Sequence, residues 1–416
     1  MLRGASLKGA PGSNSRGRGV SGGRGPLRFS LPIRNQVLLL LVVGAGVSVG
    51  LSGFVGDAPN RLVSGTPVSL WAASGTLPTV GMAALGAVWF AACWLQPSRP
   101  LHLAVGVSAA ALLLLALVAA GQAAVHLAQP TKPAARISLG PAFWIVAACA
   151  VLALGDALQR QRAGIAVQLA TATGIAAGIV VLAVNGTFDA LSLAREFTIR
   201  RQVFADAIVR HLMLVGASVA IACAIGFPLG VAAAKRAGLQ TPVFATLNTL
   251  QTIPSIALFG LLIVPLSALA AAAPRLAEWG IGGIGMAPAI IALVLYALLP
   301  VVRSTSVGLT GVDNAAIEAG RGMGMSPGQI FRQIELPLAL PVLLAGLRIV
   351  TVQTIGLVVV AALIGAGGLG TFVFEGLGQY AVDLVLLGAL PAIFLALAAD
   401  LILQLLTTTV RRRLAV

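Results

Sequence analysis

The chain has 416 residues, of which 58% are apolar and only 9% are charged, and its mean hydropathy is +0.99. Water-soluble proteins carry about 25% charged residues, so the composition excludes a soluble enzyme and indicates a membrane protein. The formal net charge is +15. The basic residues are scattered between apolar runs, which argues against nucleic-acid binding and is typical of residues that set membrane orientation.

The first 35 residues are rich in Gly, Ser, Pro and Arg and have no apolar period. This composition predicts a disordered basic tail over residues 1–35, and we expect it to lie in the cytoplasm. The next run, 36–54, is long enough to cross about 30 Å of hydrocarbon as a helix. A cleaved signal peptide is the alternative, although its apolar core is usually shorter and its leading segment less long.

Nine more apolar runs follow, so the sequence predicts an all-α polytopic protein with about ten transmembrane helices. Ten spans place both termini on one side of the membrane. Of the 27 Lys and Arg residues, 18 fall on the side of the termini, seven on the other side and two within spans. This bias predicts cytoplasmic termini. The nine further runs lie at 76–95, 102–124, 141–158, 165–184, 206–233, 243–272, 288–303, 341–363 and 383–408.

The chain divides near residue 200, where a polar stretch (185–204) separates five spans from the next five. We see no internal repeat that links the two halves. The sequence therefore predicts an added membrane module of five helices at 36–200 and a transport module at 201–416.

A long polar interval at 305–340 interrupts the second half and reads as two short helices joined by a turn. Asp313 is placed to cap the first helix, and Ser326, followed by a proline and by Gln329, gives the second a capping box. We expect Pro337 and Pro341 to end that second helix. Small side chains and one methionine recur at helical spacing and predict a shallow, smooth face on the first helix: Ala316, Ala319, Gly320 and Met323.

This interval resembles the coupling loop of bacterial ABC importer permeases, whose signature is Glu-Ala-Ala, three residues, Gly, nine residues, Ile, one residue, Leu-Pro. Gly320 stands where the signature has its second alanine. The alternative is a loop that only joins two helices. The resemblance implies that a separate ATPase receives this loop in a groove on its surface. The matching residues are Glu318, Ala319, Gly324, Ile334, Leu336 and Pro337.

Polar residues follow helical spacing in the span that begins near Pro242: Asn248, Gln251, Thr252 and Ser255. Amides in hydrocarbon are costly, so this stripe predicts either a translocation path or hydrogen bonding between helices. Pro254 removes a backbone hydrogen bond and favours a kink there. A second polar patch contains Gln353 and Thr354 and is predicted to line the same path.

Two further features fall in the last spans. Gly365, Gly367, Gly368 and Gly370 form a glycine-rich stretch that suits either a tight structural turn or a gate. Arg348 and Asp400 are charges inside apolar segments, and we expect them to pair across neighbouring helices rather than to form a proton relay.

Residues of about 205–408 also resemble the permeases of osmoprotectant importers for glycine betaine, choline or carnitine. The first half resembles a larger subgroup that carries extra amino-terminal spans. The segments that carry the likeness are 251–260, 296–300, 362–370 and, in the first half, 58–65. The resemblance implies a type I importer core of five helices in the bacterial inner membrane, surrounded by lipid. It also implies a periplasmic or lipid-anchored solute-binding protein and a second permease subunit, identical or related.

The chain has no GxxxxGK[ST] phosphate-binding motif, so we expect ATP to be bound and hydrolysed by a partner subunit and this chain to need no cofactor. Three cysteines, each in an apolar run and without metal-ligand spacing, predict buried hydrophobes and no metal site. Two rival functions remain: a secondary transporter driven by an ion gradient, and a structural or sensory membrane subunit. The first predicts uptake by this chain alone, and the second predicts that the loop binds no ATPase.

Overall fold

The residues that the computed structural model describes are 33–60, 63, 65–128, 134–278 and 280–414. The predicted disordered tail therefore lies almost wholly outside the described residues, as do Arg61 and Lys132, which contribute to the count of basic residues.

Among its described residues, the first half contains five apolar helices. These helices and two smaller ones are α1 (Gln36–Leu51), α2 (Leu70–Ser74), α3 (Thr76–Ala92), α4 (Arg99–Leu127), α5 (Pro141–Arg160), α6 (Ile165–Val184) and α7 (Ser192–Ile199). Helix α6 has no buried residue and packs on α4, so most of its surface is available to lipid.

The second half contains five further apolar spans and several shorter helices. In chain order they are α8 (Arg201–Lys235), α9 (Ala237–Thr252), α10 (Ser255–Ala272), α11 (Pro274–Glu278), α12 (Met286–Thr310), α13 (Asn314–Gly322), α14 (Pro327–Ile330), α15 (Leu336–Ala361), α16 (Gly370–Gly378) and α17 (Val382–Arg413). A π-helical turn spans Phe331–Glu335, and a 3-10 turn spans Ala362–Ile364.

Eight of the described helices are long and apolar enough to cross a membrane, and α1 and α3 are shorter apolar helices of 16 and 17 residues. At about 1.5 Å per residue those two span roughly 24–26 Å, slightly less than the hydrocarbon core. The predicted helical membrane architecture is confirmed.

A small antiparallel sheet, which the sequence analysis did not predict, joins loops of the first half. Its strands are β1 (Val55–Ala58), β2 (Thr66–Val68) and β3 (Arg136–Leu139), in the order β2-β1-β3. Val55 pairs with both Val68 and Leu139. Strands of three or four residues carry too little alternation to be recognised in a sequence.

The predicted span 243–272 is wrong as a single helix, because it consists of α9 and α10 with a break at Ile253 and Pro254. Pro254 lacks an N–H group and its ring excludes a straight continuation, so the expected kink becomes a complete interruption. Ser255 therefore begins a new helix and does not continue the stripe of Asn248, Gln251 and Thr252.

The spans alternate in direction and give the bundle two ends. The sheet face carries the β-sheet, α7 and α16. The hairpin face carries α13 and α14, and the C-terminal end of α17 also lies there, since α17 packs antiparallel to α15 and Asp400 meets Arg348. At this face, Arg34 N–H donates to the carbonyl oxygen of Cys93, and Arg160 bonds the side chain of Asn35. The start of α1 therefore also lies at the hairpin face.

The two halves have separate hydrophobic cores. In the first half, Trp89 is fully buried and donates from Nε1 to Ser108 Oγ over 3.0 Å. In the second half, α12 is the central helix, with α8, α15, α10 and α9 packed around it. Burial of one face of each helix against another accounts for both cores.

Arg348 and Asp400 form the predicted pair between α15 and α17. The contact is bidentate: Arg348 Nη2 lies 2.6 Å from Asp400 Oδ2, and Nε donates to Oδ1. Two parallel hydrogen bonds to one carboxylate give a strong, directional interaction. The pair neutralises two charges within adjacent apolar helices.

Replacing Asp400 with asparagine should lower the free energy of unfolding by about 1–2 kcal/mol, because Arg348 would keep its charge without a carboxylate partner. This loss is smaller than that expected for a fully buried ion pair, because both side chains are about one-third exposed. Thermal unfolding in lipid nanodiscs measures the change. The double variant Arg348→Gln/Asp400→Asn should recover most of the stability. A single variant as stable as the parent chain would contradict a stabilising role for the pair.

Candidate functional site

The first helix of the interval 305–340 is α13, and it begins where the sequence predicts. Asp313 Oδ1 accepts from the backbone N–H of Ala315 over 2.9 Å, which confirms the predicted cap. An N-cap of this kind stabilises a short exposed helix by about 1 kcal/mol. Residues 313–335, which comprise α13, the turn, α14 and the π-turn, are called the helical hairpin below.

Gly324 makes the turn between α13 and α14 possible. It has φ +78°, and the N–H of Met325 donates to Gly320 O while that of Gly324 donates to Arg321 O. These two bonds form a Schellman motif with glycine at the left-handed position. A side chain at Gly324 would strain this conformation, since L-residues occupy it only at a cost of about 1–2 kcal/mol.

The second helix begins with the predicted capping box. Gln329 N–H donates to Ser326 Oγ, and Ser326 N–H donates to Gln329 Oε1 over 2.7 Å. The predicted end of this helix at Pro337 and Pro341 is wrong, because both prolines lie within a helix that continues into the membrane span. The π-turn explains this: Leu336 N–H donates to Phe331 O, five residues back, and such a register shift accommodates residues that would interrupt an α-helix.

Gly320 does not belong to the exposed face that the sequence predicted. It is buried, and a β-carbon placed there would lie 2.6 Å from Ile334 Cδ1, 3.4 Å from Met325 Sδ and 3.5 Å from Ile330 Cγ1. The two arms of the hairpin therefore touch at Gly320. A small residue at this position is therefore needed for packing between the arms.

The exposed tip of the hairpin consists of Glu318, Ala319 and Met323. The Glu318 side chain is 65% exposed and Met323 is 74% exposed. Glu318 pairs with Arg321 over 2.7 Å within the same helix, a surface contact of little energetic weight. An exposed methionine beside small residues is typical of surfaces that receive a partner.

Ile334, Leu336 and Pro337 connect the hairpin to the bundle, and all three are half-buried. Near them, Lys235 at the end of α8 binds Glu335 over 2.8 Å, and its Nζ lies 4.8 Å from the centre of the Phe331 ring. Lys235 was not predicted as an anchor from the sequence. The rarity of lysine could have drawn attention to Lys235, which is one of three lysines in the chain. Its partner could not be found from the sequence, because Glu335 lies 100 residues away.

The predicted path residues of α9 bond to α12. Gln251 Nε2 donates to Tyr296 O over 2.9 Å, and the Tyr296 hydroxyl donates to Ile253 O beside the helix break. Arg303 Nη2 donates to Asn248 Oδ1 over 3.4 Å. These bonds favour the alternative of hydrogen bonding between helices for Gln251 and Asn248.

Gln251 also lines a cavity of about 420 Å³ between α9, α12 and α15, toward the hairpin face. Its polar lining comes from Gln251, Arg303 and Ser304, and the remaining wall is apolar. A concave site with few polar groups is the usual form of a site for a small molecule. Gln251 therefore lines a concave site in addition to making its structural bond.

The structure does not bring the other predicted path residues to this cavity. Thr252 donates to Thr249 O within α9, and Thr354 is buried and donates to Val350 O within α15. Ser255 and Gln353 are half-buried and Pro254 is exposed, but none lines the cavity. Whether these residues meet the solute stays a prediction.

The glycine-rich stretch is a close-packed turn on the sheet face. Gly365, Gly367 and Gly368 have φ between +77° and +85°, a region that favours glycine. A β-carbon on Gly370 would lie 2.0 Å from Val359 O, so only glycine fits there. The turn packs against α8, where His211 is fully buried beside Gly368. Both the structural and the gating interpretation remain predictions.

Comparison with known sequence families gives two matches that divide the chain. Residues 33–194 match the family described as ABC transporter permease YehY, N-terminal domain. Residues 226–416 match the family described as binding-protein-dependent transport system inner membrane component.

Three curated relatives illustrate the similarity to single proteins. The osmoprotectant import permease OsmW of Salmonella typhimurium is 43% identical over 47% of this chain and 86% of its own length. The carnitine transport permease OpuCB of Listeria monocytogenes is 39% identical over 46% and 80%. The glycine betaine/carnitine/choline permease OpuCD of Bacillus subtilis is 35% identical over 47% and 78%.

Among solved structures, the chain is similar to the inward-facing MetNI methionine ABC transporter, with a TM-score of 0.45 and 24% identity. The likeness covers 51% of this chain and 97% of that one.

Proposed function

This chain belongs to the family of inner-membrane components of binding-protein-dependent ABC transport systems, and from that premise we propose that it moves a quaternary-ammonium osmolyte inward. The relatives are named for osmoprotectants, carnitine, glycine betaine and choline. The permease itself would hydrolyse no ATP. It would use the ATP-driven movement of a separate subunit, and it needs no cofactor of its own.

The observation that carries the proposal is the helical hairpin. Its tip presents Glu318, Ala319 and Met323 to solvent, while Gly320 and Ile334 lock the two arms together. The salt bridge between Lys235 and Glu335 ties the base of the hairpin to α8. A rigid projection that is fixed to two spans can transmit a push from a soluble ATPase to the bundle.

We infer that the hairpin face is cytoplasmic and that both termini lie there. The excess of basic residues on that side, 18 against seven, supports this orientation. The sheet face would then meet a periplasmic or lipid-anchored solute-binding protein. A second permease subunit would complete the pathway, with the polar residues of α9 and the cavity beside α12 near its inner end.

Replacing Glu318 with alanine should lower ATP-driven uptake at least tenfold, which corresponds to a loss of about 1.4 kcal/mol in coupling free energy. It should also weaken retention of the ATPase. Uptake is measured in vesicles that contain permease, ATPase and binding protein, and retention by co-purification.

Glu278 is an exposed acid of α11 on the opposite face, so Glu278→Ala is a matched control and should retain the ATPase fully. Unchanged uptake and ATPase retention in Glu318→Ala would count against the coupling role. Uptake of solute by the isolated chain without ATP would overturn the whole proposal.

A further inference from the structure

A second cavity lies on the sheet face, where the two halves of the chain meet. Its volume is about 170 Å³, and we call it the seam cavity. This exceeds the roughly 10–15 Å³ that one water needs and is below the ~300–1,000 Å³ of pockets for drug-sized ligands. It therefore suits a small solute. Its polar lining side chains are Asn60, Arg136, Ser138, Ser192, Glu196, Tyr380 and Asp383.

Opposite charges reach the seam cavity from opposite halves of the chain. Arg136 belongs to β3 of the first half, and Asp383 lies in the first turn of α17 in the second half. Arg136 Nε and Asp383 Oδ1 are both buried, and neither has a hydrogen-bond partner within the described part of the chain. Buried charged atoms in folded proteins normally have partners. A ligand would supply both partners if it carried an acceptor for Arg136 and a donor or cation for Asp383.

The charged side chains beside the cavity already form ion pairs with one another. Arg200 lies 3.6 Å from Glu196 and 2.7 Å from Glu375, so that Glu196 is part of an ion-pair network at the edge of the cavity. The Asp383 carboxylate accepts a hydrogen bond from Ser192 and interacts electrostatically with Arg136 and Glu196, so the atoms that remain for a ligand are Arg136 Nε and Asp383 Oδ1.

Tyr380 adds an aromatic ring at the rim. It is 90% exposed and has φ +54°. Ala381 N–H donates to Gly376 O, and Tyr380 N–H donates to Leu377 O, so Tyr380 holds the left-handed position of a Schellman motif where glycine is usual. An aromatic face near a carboxylate is a suitable environment for an organic cation.

We propose that the seam cavity binds a small zwitterion, with its carboxylate on Arg136 and its cationic nitrogen between Asp383 and the Tyr380 ring. A simple anion would satisfy only Arg136, and a simple cation only Asp383. The inference rests on the proposed transport function, since it gives the permease its own site for the class of solute that it moves. The site lies on the sheet face, apart from the cavity near Gln251, and its ligand would bridge the two halves.

The test is equilibrium binding to the complex of permease and ATPase in lipid nanodiscs, without binding protein or nucleotide. Radiolabelled glycine betaine and glycine are the probes, and they distinguish a quaternary from a primary ammonium group. At least one should bind saturably, with one site per permease chain. Choline, which lacks a carboxylate, and acetate, which lacks a cation, should bind at least tenfold more weakly.

Variants locate the site. Arg136→Gln and Asp383→Asn should each weaken binding at least tenfold, whereas Arg136→Lys should weaken it less, because the charge remains although the planar guanidinium is lost. Arg275 is exposed on the same face, and Arg275→Gln should leave binding unchanged. Melting temperatures of all variants identify any that fail to fold. If a variant fails to fold, the weaker binding of choline and acetate to the parent chain tests whether the site selects a zwitterion.

The proposal is overturned if neither zwitterion binds, if choline or acetate binds as tightly, or if the folded Arg136→Gln and Asp383→Asn variants keep full affinity. Uptake in the complete system distinguishes a failure of the seam-cavity proposal from a failure of the proposed transport function. If ATP-driven uptake occurs without binding at the seam cavity, the zwitterion site is refuted and the permease role still stands.

Discussion

Replacing Gly230 with leucine is expected to destabilise the folded chain by about 3 kcal/mol or more, the upper part of the range for overpacking. Gly230 lies where α8 crosses α12, and a β-carbon there would be 2.6 Å from Thr305 Cβ and 3.0 Å from Val302 O. One turn earlier, a β-carbon on Gly226 would be 2.8 Å from Val301 Cγ1. The two glycines form a GxxxG contact, which lets the backbones of membrane helices approach closely.

The effect is measured as the fraction of folded protein after extraction, by size-exclusion chromatography and thermal unfolding in lipid. Gly216 provides the matched control on the same helix, since a β-carbon there meets nothing within 4 Å and the residue is exposed. Gly216→Leu should change stability by no more than about 0.5 kcal/mol. Equal stability of the two variants would show that the α8–α12 crossing does not depend on close backbone approach.

The membrane spans and the helix caps could be predicted because their signals are local. Hydropathy over about 20 residues defines a span, and Asp313, Ser326 and Gln329 act on backbone groups two or three residues away. The GxxxG pair on α8 was not singled out in the sequence analysis. What the sequence did not reveal was which helix it packs against.

Features that depend on distant partners escaped prediction. Lys235 anchors Glu335, 100 residues later. Arg136 and Asp383 line one cavity because β3 of the first half and the start of α17 of the second half both border it. The burial of Gly320 follows from Ile334 and Ile330 on the opposite arm of the hairpin. Helical spacing grouped Gly320 with Ala319 and Met323, but it could not show that Gly320 packs between the arms while the other two are exposed.

Replacing Gly320 with leucine is expected to reduce ATP-driven uptake at least tenfold while the membrane bundle remains folded. The leucine would displace Ile334 and Ile330 and separate the two arms of the hairpin, at a local cost of about 1–3 kcal/mol. The hairpin projects from the bundle, so this strain should not unfold the spans. Uptake in vesicles with all subunits, ATPase co-purification and thermal unfolding measure the three consequences separately.

A size series and a compensating change make the interpretation specific. Gly320→Ala adds one carbon that meets chiefly the mobile end of Ile334, so uptake should stay near that of the parent chain, with a helix stabilised by up to about 1 kcal/mol. Removing the obstructing side chain in Gly320→Leu/Ile334→Ala should restore a substantial part of the lost uptake, because the leucine then fills the vacated space. Equal loss in Gly320→Ala and Gly320→Leu would indicate that Gly320 contacts a partner directly. Restoration by the second substitution would indicate that force from the ATPase depends on the two arms moving as one rigid body.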